Sequence, residues 1–143
     1  MKTNEALMVD LFRAIEERDY EHILEAYDPD VEFHWPPSLP FYGGTYRGAD
    51  EVARMTEWFV AAWDPVQPTT ESRRLRSRVV ASNDHEVVMY YHQSGNAPDG
   101  RACDSEVLGL YRIENGKVTR LQMFYFEPEA VTEFLTAVHG AEA

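Results

Sequence analysis

The 143-residue chain is 44% hydrophobic and 13% aromatic, which is enough apolar material for the core of one domain. Its net charge of −12 argues against nucleic acid and membrane surfaces as partners, because both attract basic proteins. The sequence has no apolar run long enough for a signal peptide or a membrane span, and no zinc-type spacing of Cys and His. We therefore expect one cytoplasmic domain over residues 1–143, without a metal or a cofactor.

Four segments carry apolar residues at helical spacing. The first covers residues 4–15. The second covers residues 19–27 and ends at the turn-forming sequence Asp28-Pro29-Asp30. A third helix is predicted over residues 48–63, and a last one over residues 128–139, with proline in its first turn and glycine after its last.

A short strand and a loop lie between the second and third helices, in the sequence VEFHWPPSLPFYGG. Alternation places Val31, Phe33 and Trp35 on one face of the strand, and Pro36-Pro37 ends it because proline has no N–H for a strand ladder. Trp35 therefore has two interpretations. It packs in a solid core, or it forms the wall of a cavity whose mouth is the loop.

From residue 71 onward the pattern changes to strands separated by turn-forming pairs. Helices followed by an antiparallel meander indicate an α+β fold. The strands are predicted at residues 71–82, 86–96, 101–113 and 117–127, with turns at Asn83-Asp84, Asp99-Gly100 and Asn115-Gly116.

Two long segments, AYDPDVEFHWPPSLPFYGGTYRGADEV (26–52) and GRACDSEVLGLYRIENGKVTRLQMFYF (100–126), resemble the SnoaL-like branch of the nuclear transport factor 2-like superfamily. The resemblance implies a curved antiparallel sheet wrapped by N-terminal helices into a cone with a central pocket. Family members include polyketide cyclases, ketosteroid isomerases, epoxide hydrolases and non-catalytic binding proteins, so the fold alone does not define the chemistry.

The resemblance also allows catalytic positions to be compared one by one. The base aspartate of ketosteroid isomerases corresponds to Trp35, their oxyanion-hole tyrosine to Phe12 and their protonated aspartate to Gly109. All three groups are absent, so a steroid isomerase of that type is not expected. A pocket tyrosine on the second helix does match, as Tyr27. The other residues that the resemblance places around the pocket, together with Trp35, are Met55, Phe59, Tyr90, His92, Ser105, Val107 and Tyr125.

His92 is the candidate catalytic residue of this set, because a histidine changes its charge near neutral pH and acts as a general acid or base. The alternative is a hydrogen-bonded core histidine without a chemical role. Tyr27 and Tyr90 donate hydrogen bonds to a ligand oxygen, or are simply half-buried aromatics.

The orientation of His92 depends on the turn that follows its strand. A two-residue turn at Asp99-Gly100 sets His92 opposite Val107, and the family match favours this register. A three-residue turn that includes Pro98 shifts the pairing by one residue, so that His92 faces Glu106 with Asp104 on the diagonal.

The second hairpin is predicted with a three-residue loop at 114–116. This loop places Leu121, Met123 and Tyr125 inside the cone. The outer face of the sheet then carries large apolar side chains, and a patch of this kind is not expected to be exposed to solvent. Its residues are Leu108, Leu110, Phe124 and Phe126.

The remaining reactive or charged side chains are expected to have structural roles and no chemical role. Cys103 has no adjacent base in the sequence and is expected to be a buried, inert thiol. The basic cluster Arg73, Arg74, Arg76 and Arg78 is expected to pair with carboxylates on a solvated face, since the chain as a whole is acidic.

Two classes of function follow from these expectations. The first is a cofactor-free enzyme that acts on a hydrophobic, oxygenated small molecule by acid/base chemistry, as a cyclase, isomerase, dehydratase or hydrolase. The alternative is a non-catalytic protein that binds such a molecule. A homodimer through the outer sheet face is expected in both cases, unless the C-terminal helix, through Phe134 and Leu135, covers that face within one chain.

Overall fold

The computed structural model describes residues 2–140, which form four helices around one curved, open sheet of six strands. The predicted α+β class is confirmed. The helices are α1 (Asn4–Glu17), α2 (Tyr20–Glu25), α3 (Gly48–Trp63) and α4 (Pro128–His139). The strands are β1 (Tyr27–Trp35), β2 (Gly44–Arg47), β3 (Arg78–Ser82), β4 (Glu86–Asn96), β5 (Ala102–Glu114) and β6 (Lys117–Tyr125).

The strand order is β2-β1-β6-β5-β4-β3, and the buried side chains of the sheet lie on its concave face, against α1 and α3. Neighbouring strands are antiparallel, except that β1 pairs parallel with β6. The sequence did not predict this parallel pair or strand β2, which occupies part of the expected loop. Strand β3 is also shorter than predicted, because residues 71–73 form a turn of 3₁₀ helix.

Tyr27 lies at the start of β1 and not on the second helix, which ends at Glu25. The expected turn at Asp28-Pro29-Asp30 is part of this strand, where the N–H of Asp30 bonds to the side chain of Asp28 at 2.9 Å. The pairing of β1 with β6 shifts register between Tyr27 and Glu32. The turn residues therefore produce an irregularity within a strand instead of a break before it.

The hairpin between β4 and β5 has the three-residue turn Pro98-Asp99-Gly100, so the preferred two-residue turn was wrong. The N–H of Ala97 bonds to the carbonyl of Arg101 at 2.8 Å, and Gly100 adopts a positive φ of 95°. His92 consequently pairs with Glu106, and not with Val107. A shift of one residue reverses which side chains of β4 face the core.

The hairpin between β5 and β6 has a two-residue turn, Asn115-Gly116, in which both residues have positive φ, as in a type I′ turn. The predicted three-residue loop was therefore wrong. A register shift between Arg112 and Ile113 adds one residue to β6. Beyond this shift, the side chains of β6 point to the faces of the sheet that were predicted for them. Leu121, Met123 and Tyr125 are buried on the concave face as expected.

Helix α4 packs against the end of α3 and does not cover the outer face of the sheet. Phe134 stacks on Trp63 with ring centroids 6.2 Å apart, and His139 bonds to the carbonyl of Ala62 at 2.8 Å. Phe124 and Phe126 remain 47% and 54% exposed. Within residues 2–140, none of the helices combines the length and apolar character needed to cross a membrane.

Candidate functional site

A cavity of about 90 Å³ lies between the concave face of the sheet and helices α1 to α3. It is larger than the roughly 10–15 Å³ that one water needs, and smaller than the roughly 300–1,000 Å³ of pockets for drug-sized ligands. A ligand of about one ring is therefore the size that fits without rearrangement. The lining residues are Phe12, Ile15, Arg18, Tyr20, Ile23, Tyr27, Phe33, Trp35, Met55, Thr56, Phe59, Val60, Gln67, Arg73, Leu75, Tyr91, Gln93, Tyr111, Leu121 and Met123.

Four of the predicted pocket residues line this cavity: Tyr27, Trp35, Met55 and Phe59. Trp35 is 8% exposed and stacks on Phe59, with ring centroids 5.6 Å apart and planes at 27°. Trp35 therefore lies in a cavity wall, but none of residues 36–43 is among the lining residues, so the structure does not place the expected mouth at the loop. A role of these four residues in ligand binding stays a prediction.

Tyr90 and His92 do not reach the cavity, because the three-residue turn places both on the outer face of the sheet. Ser105, Val107 and Tyr125 do lie on the concave face, but they are packed behind the cavity lining and not on it. The hydroxyl of Ser105 is buried without a hydrogen-bond partner among residues 2–140.

Tyr125 belongs to a buried hydrogen-bonded chain next to the cavity. The indole N–H of Trp63 donates to the hydroxyl of Tyr42 at 3.0 Å, and the Tyr42 and Tyr125 hydroxyls lie 3.1 Å apart. Tyr42 also packs edge-on against Trp35, with centroids 5.1 Å apart. Tyr42 thus joins Trp35 to the network by ring packing alone, since the indole N–H of Trp35 is buried without a hydrogen-bond partner among residues 2–140.

His92 does form a histidine–carboxylate pair, but on the outer surface. Its Nδ1 lies 2.8 Å from Oδ1 of Asp104, and the Tyr90 hydroxyl donates to Glu106. Partial burial alone would raise the pKa of Asp104, but hydrogen bonds from His92, Arg76 and Ser94 hold that pKa below its ordinary value. The pair therefore stabilises a surface network and has no access to a ligand in the cone.

The titratable groups on the apolar part of the lining are tyrosines. Burial raises the pKa values of Tyr27, Tyr91 and Tyr111 above that of a free tyrosine, so all three are neutral near pH 7. The hydroxyl of Tyr91 donates only to the sulfur of Met123, at 3.3 Å. Such neutral hydroxyls can donate hydrogen bonds but do not act as bases near pH 7.

One end of the cavity carries polar side chains, and Gln67 forms hydrogen bonds with two of them, Arg18 and Arg73. The Gln67 side chain accepts a hydrogen bond from Arg18 at 3.0 Å and donates to the carbonyl of Ser94. The backbone carbonyl of Gln67 accepts a hydrogen bond from Nε of Arg73 at 3.1 Å. Gln93 lines the same cavity and directly precedes Ser94, whose carbonyl Gln67 contacts. We call Arg18, Gln67, Arg73 and Gln93 the polar end.

The sequence interpretation missed the polar end. The side chain of Gln93 faces the cavity only if the hairpin between β4 and β5 has the three-residue turn. A correct prediction of that turn type would therefore have identified Gln93 as a lining residue. Two arginines of the basic cluster pair as expected, Arg74 with Glu71 and Arg76 with Asp104. Arg73 instead lines the cavity.

The positions that correspond to isomerase catalytic groups are apolar and filled. Phe12 and Trp35 line the cavity with their rings. A side chain at Gly109 would lie 2.5 Å from Cε1 of Tyr111, so the Tyr111 ring occupies the space above this glycine. Cys103 is half-buried, and burial raises the pKa of its thiol to about 11, which makes it unreactive near neutral pH.

A curved, open sheet with helices against its concave face and a mainly apolar cavity between them forms an open cone, the fold shared by solved structures of nuclear transport factor 2-like proteins. The SnoaL-like domain model matches residues 8–121, and the chain belongs to the SnoaL-like family, which includes cyclases and isomerases. The resemblance seen in the sequence is thereby confirmed.

Solved structures share the fold across nearly the whole chain. A protein of unknown function with a cystatin-like fold from Xanthomonas campestris has a TM-score of 0.77 and 24% identity, covering 94% of this chain and 98% of its own. TerC, co-crystallised with polyporic acid, has a TM-score of 0.72 and 20% identity, covering 88% and 95%.

A relative is found in mycobacteria. An uncharacterized protein of Mycobacterium tuberculosis is 27% identical over 123 residues, which cover 86% of this chain and 88% of the relative.

Proposed function

We propose that this protein binds a small, mainly aromatic or apolar molecule in the cone cavity and acts as a binding or accessory protein. The observation that carries the proposal is the composition of the lining. Aromatic and aliphatic walls enclose the space, and among residues 2–140 its lining includes no carboxylate and no imidazole. TerC, which has the same fold, was crystallised with a small molecule, and this supports a ligand-binding use of the cone.

The sequence favoured an acid/base enzyme, and the position of His92 in the structure removes the main argument for that hypothesis. His92, its only candidate base, lies on the opposite face of the sheet from the cavity. A general base must come within hydrogen-bond reach of the proton it removes. The tyrosines of the lining supply neutral donors, which orient a ligand without removing a proton from it.

We expect His92→Ala to leave ligand affinity unchanged within about twofold, because the imidazole contacts Asp104 and Tyr90 and not the cavity. The measurement is calorimetric titration of both proteins with a ligand found by thermal-shift and native mass-spectrometric screening of ring-containing metabolites. The positive control is Phe59→Ala, which removes a cavity wall and should weaken binding. A tenfold loss in His92→Ala would return the histidine to the ligand site.

We further propose that the protein is a homodimer formed through the outer sheet face. Outward positions of a sheet that faces water are expected to be polar. Here Leu108 and Phe124 pair across β5 and β6, with Leu110 and Phe126 beside them, and the two phenylalanines are about half exposed in the single chain. A second copy brings the same patch to meet this one about a two-fold axis. We call these four residues the outer apolar patch.

A further inference from the structure

The polar end of the cavity contains an amide without a partner. Gln93 is only 3% exposed, lines the cavity and forms no side-chain hydrogen bond with any of residues 2–140. Its amide atoms are not sealed among the packed side chains, because the fully buried side-chain atoms without a partner among residues 2–140 are Nε of Arg18, Nε1 of Trp35 and Oγ of Ser105. Gln67, equally buried at 3% exposure, satisfies both ends of its own amide. Gln93 therefore has hydrogen-bonding capacity that is open to the cavity, whereas the unpaired Nε of Arg18 is fully buried.

A guanidinium without a carboxylate lies at the same end. Arg18 forms an ion pair with Asp64 at 2.9 Å. The carboxylate of Glu16 accepts a hydrogen bond from the backbone N–H of Leu75 at 2.7 Å. Arg73 lines the cavity and donates through Nε to the Gln67 carbonyl, but no carboxylate of residues 2–140 lies within ion-pair distance of it. Its terminal nitrogens remain available to an anion.

We propose that the ligand is a ring-sized aromatic or apolar anion, such as a carboxylate, whose charged oxygens are bound by Arg73 and Gln93. This inference rests on the proposed binding function and specifies its ligand class. The ring lies among the aromatic walls and the anionic group lies at the polar end. An arginine is suited to the charged group because its planar donors match a carboxylate in geometry as well as in charge. The net charge of the chain is −12, so an anion requires such a local site.

The test compares two ring probes of similar size, benzoate and benzyl alcohol, by titration of the full chain at low salt. The wild-type protein is expected to bind benzoate at least about tenfold more tightly, the usual worth of hydrogen bonds to a charged group. Arg73→Gln should remove this preference, by weakening the binding of benzoate much more than the binding of benzyl alcohol. Arg74→Gln is the matched control, since Arg74 is exposed, pairs with Glu71 and does not line the cavity.

Gln93→Leu gives a second, independent readout. It should weaken benzoate binding without lowering the melting temperature, because the Gln93 amide makes no hydrogen bond to other side chains or backbone groups of residues 2–140 in the free protein. A glutamine with a purely structural role would instead lower the melting temperature when replaced.

The outcomes separate the inference from the function on which it rests. Equal binding of both probes, or equal effects of Arg73→Gln and Arg74→Gln, would overturn the anion site and leave the cavity as a binding site. Failure of both probes to bind would overturn the proposed function together with the anion site.

Discussion

Phe124→Glu is expected to convert the proposed dimer into a 16.5 kDa monomer. Phe124 is 47% exposed in the single chain and lies at the centre of the outer apolar patch, opposite Leu108 on the neighbouring strand. Burying a phenylalanine is worth about 1.5–3 kcal/mol, and the two-fold contact contains two copies. Because Phe124 is 47% exposed before association, only about half of this gain is made at the interface. The substitution therefore costs roughly 1.5–3 kcal/mol of association, or about 10–10²-fold in the dissociation constant, before the penalty for a buried carboxylate is added.

Light scattering and sedimentation at micromolar concentration measure this effect. Leu24→Glu is the matched control, because Leu24 is 50% exposed but lies on helix α2 and not on the strands that carry the outer apolar patch. It should leave the dimer intact. A wild-type protein that is monomeric throughout, or a control that dissociates equally well, would contradict the interface.

Val60→Phe is expected to abolish ligand binding. Val60 lines the cavity from helix α3, next to Phe59, and a phenyl ring at this position occupies the space of a ring-sized ligand. Filling a cavity costs less stability than inserting the same group into a packed core, where overpacking costs about 1–3 kcal/mol. The melting temperature should therefore change little while binding is lost.

Ala61→Phe is the control for the filled cavity. It adds the same ring one residue further along α3, at a position exposed to solvent, and should preserve binding. Thr56→Met extends a flexible side chain from the same lining and serves as a second filling variant. Full ligand affinity in both Val60→Phe and Thr56→Met, with the fold retained, would show that the ligand binds elsewhere.

The limits of β4 and the first residue of α4 could be predicted to the residue, because alternation, turn pairs and a leading proline are local signals. The register of the first hairpin could not. Pro98-Asp99-Gly100 suits a two-residue and a three-residue turn, and the choice between them decides whether His92 or Gln93 faces the cavity. One residue of loop length therefore moved the candidate catalytic group to the outer surface.

The apolar walls of the site were partly predictable and its polar end was not. Trp35, Met55 and Phe59 belong to apolar faces that are visible as periodic patterns. The polar end joins Arg18, Gln67, Arg73 and Gln93, which come from four separate segments that only the tertiary fold brings together. No local spacing links these residues. The parallel pairing of β1 with β6 was equally invisible, since it depends on contacts distant in sequence.

The central claim is that the cone cavity is the ligand site, and the methionines test it most directly. Met55 and Met123 line the cavity, whereas Met8 and Met89 are buried elsewhere, at 0% and 1% exposure. With ¹³C-methyl-labelled methionine, benzoate or benzyl alcohol should show nuclear Overhauser contacts to the methyl groups of Met55 and Met123 and none to those of Met8 and Met89. Contacts to Met8 or Met89 alone, or binding without a contact to any of these methyl groups, would contradict the account.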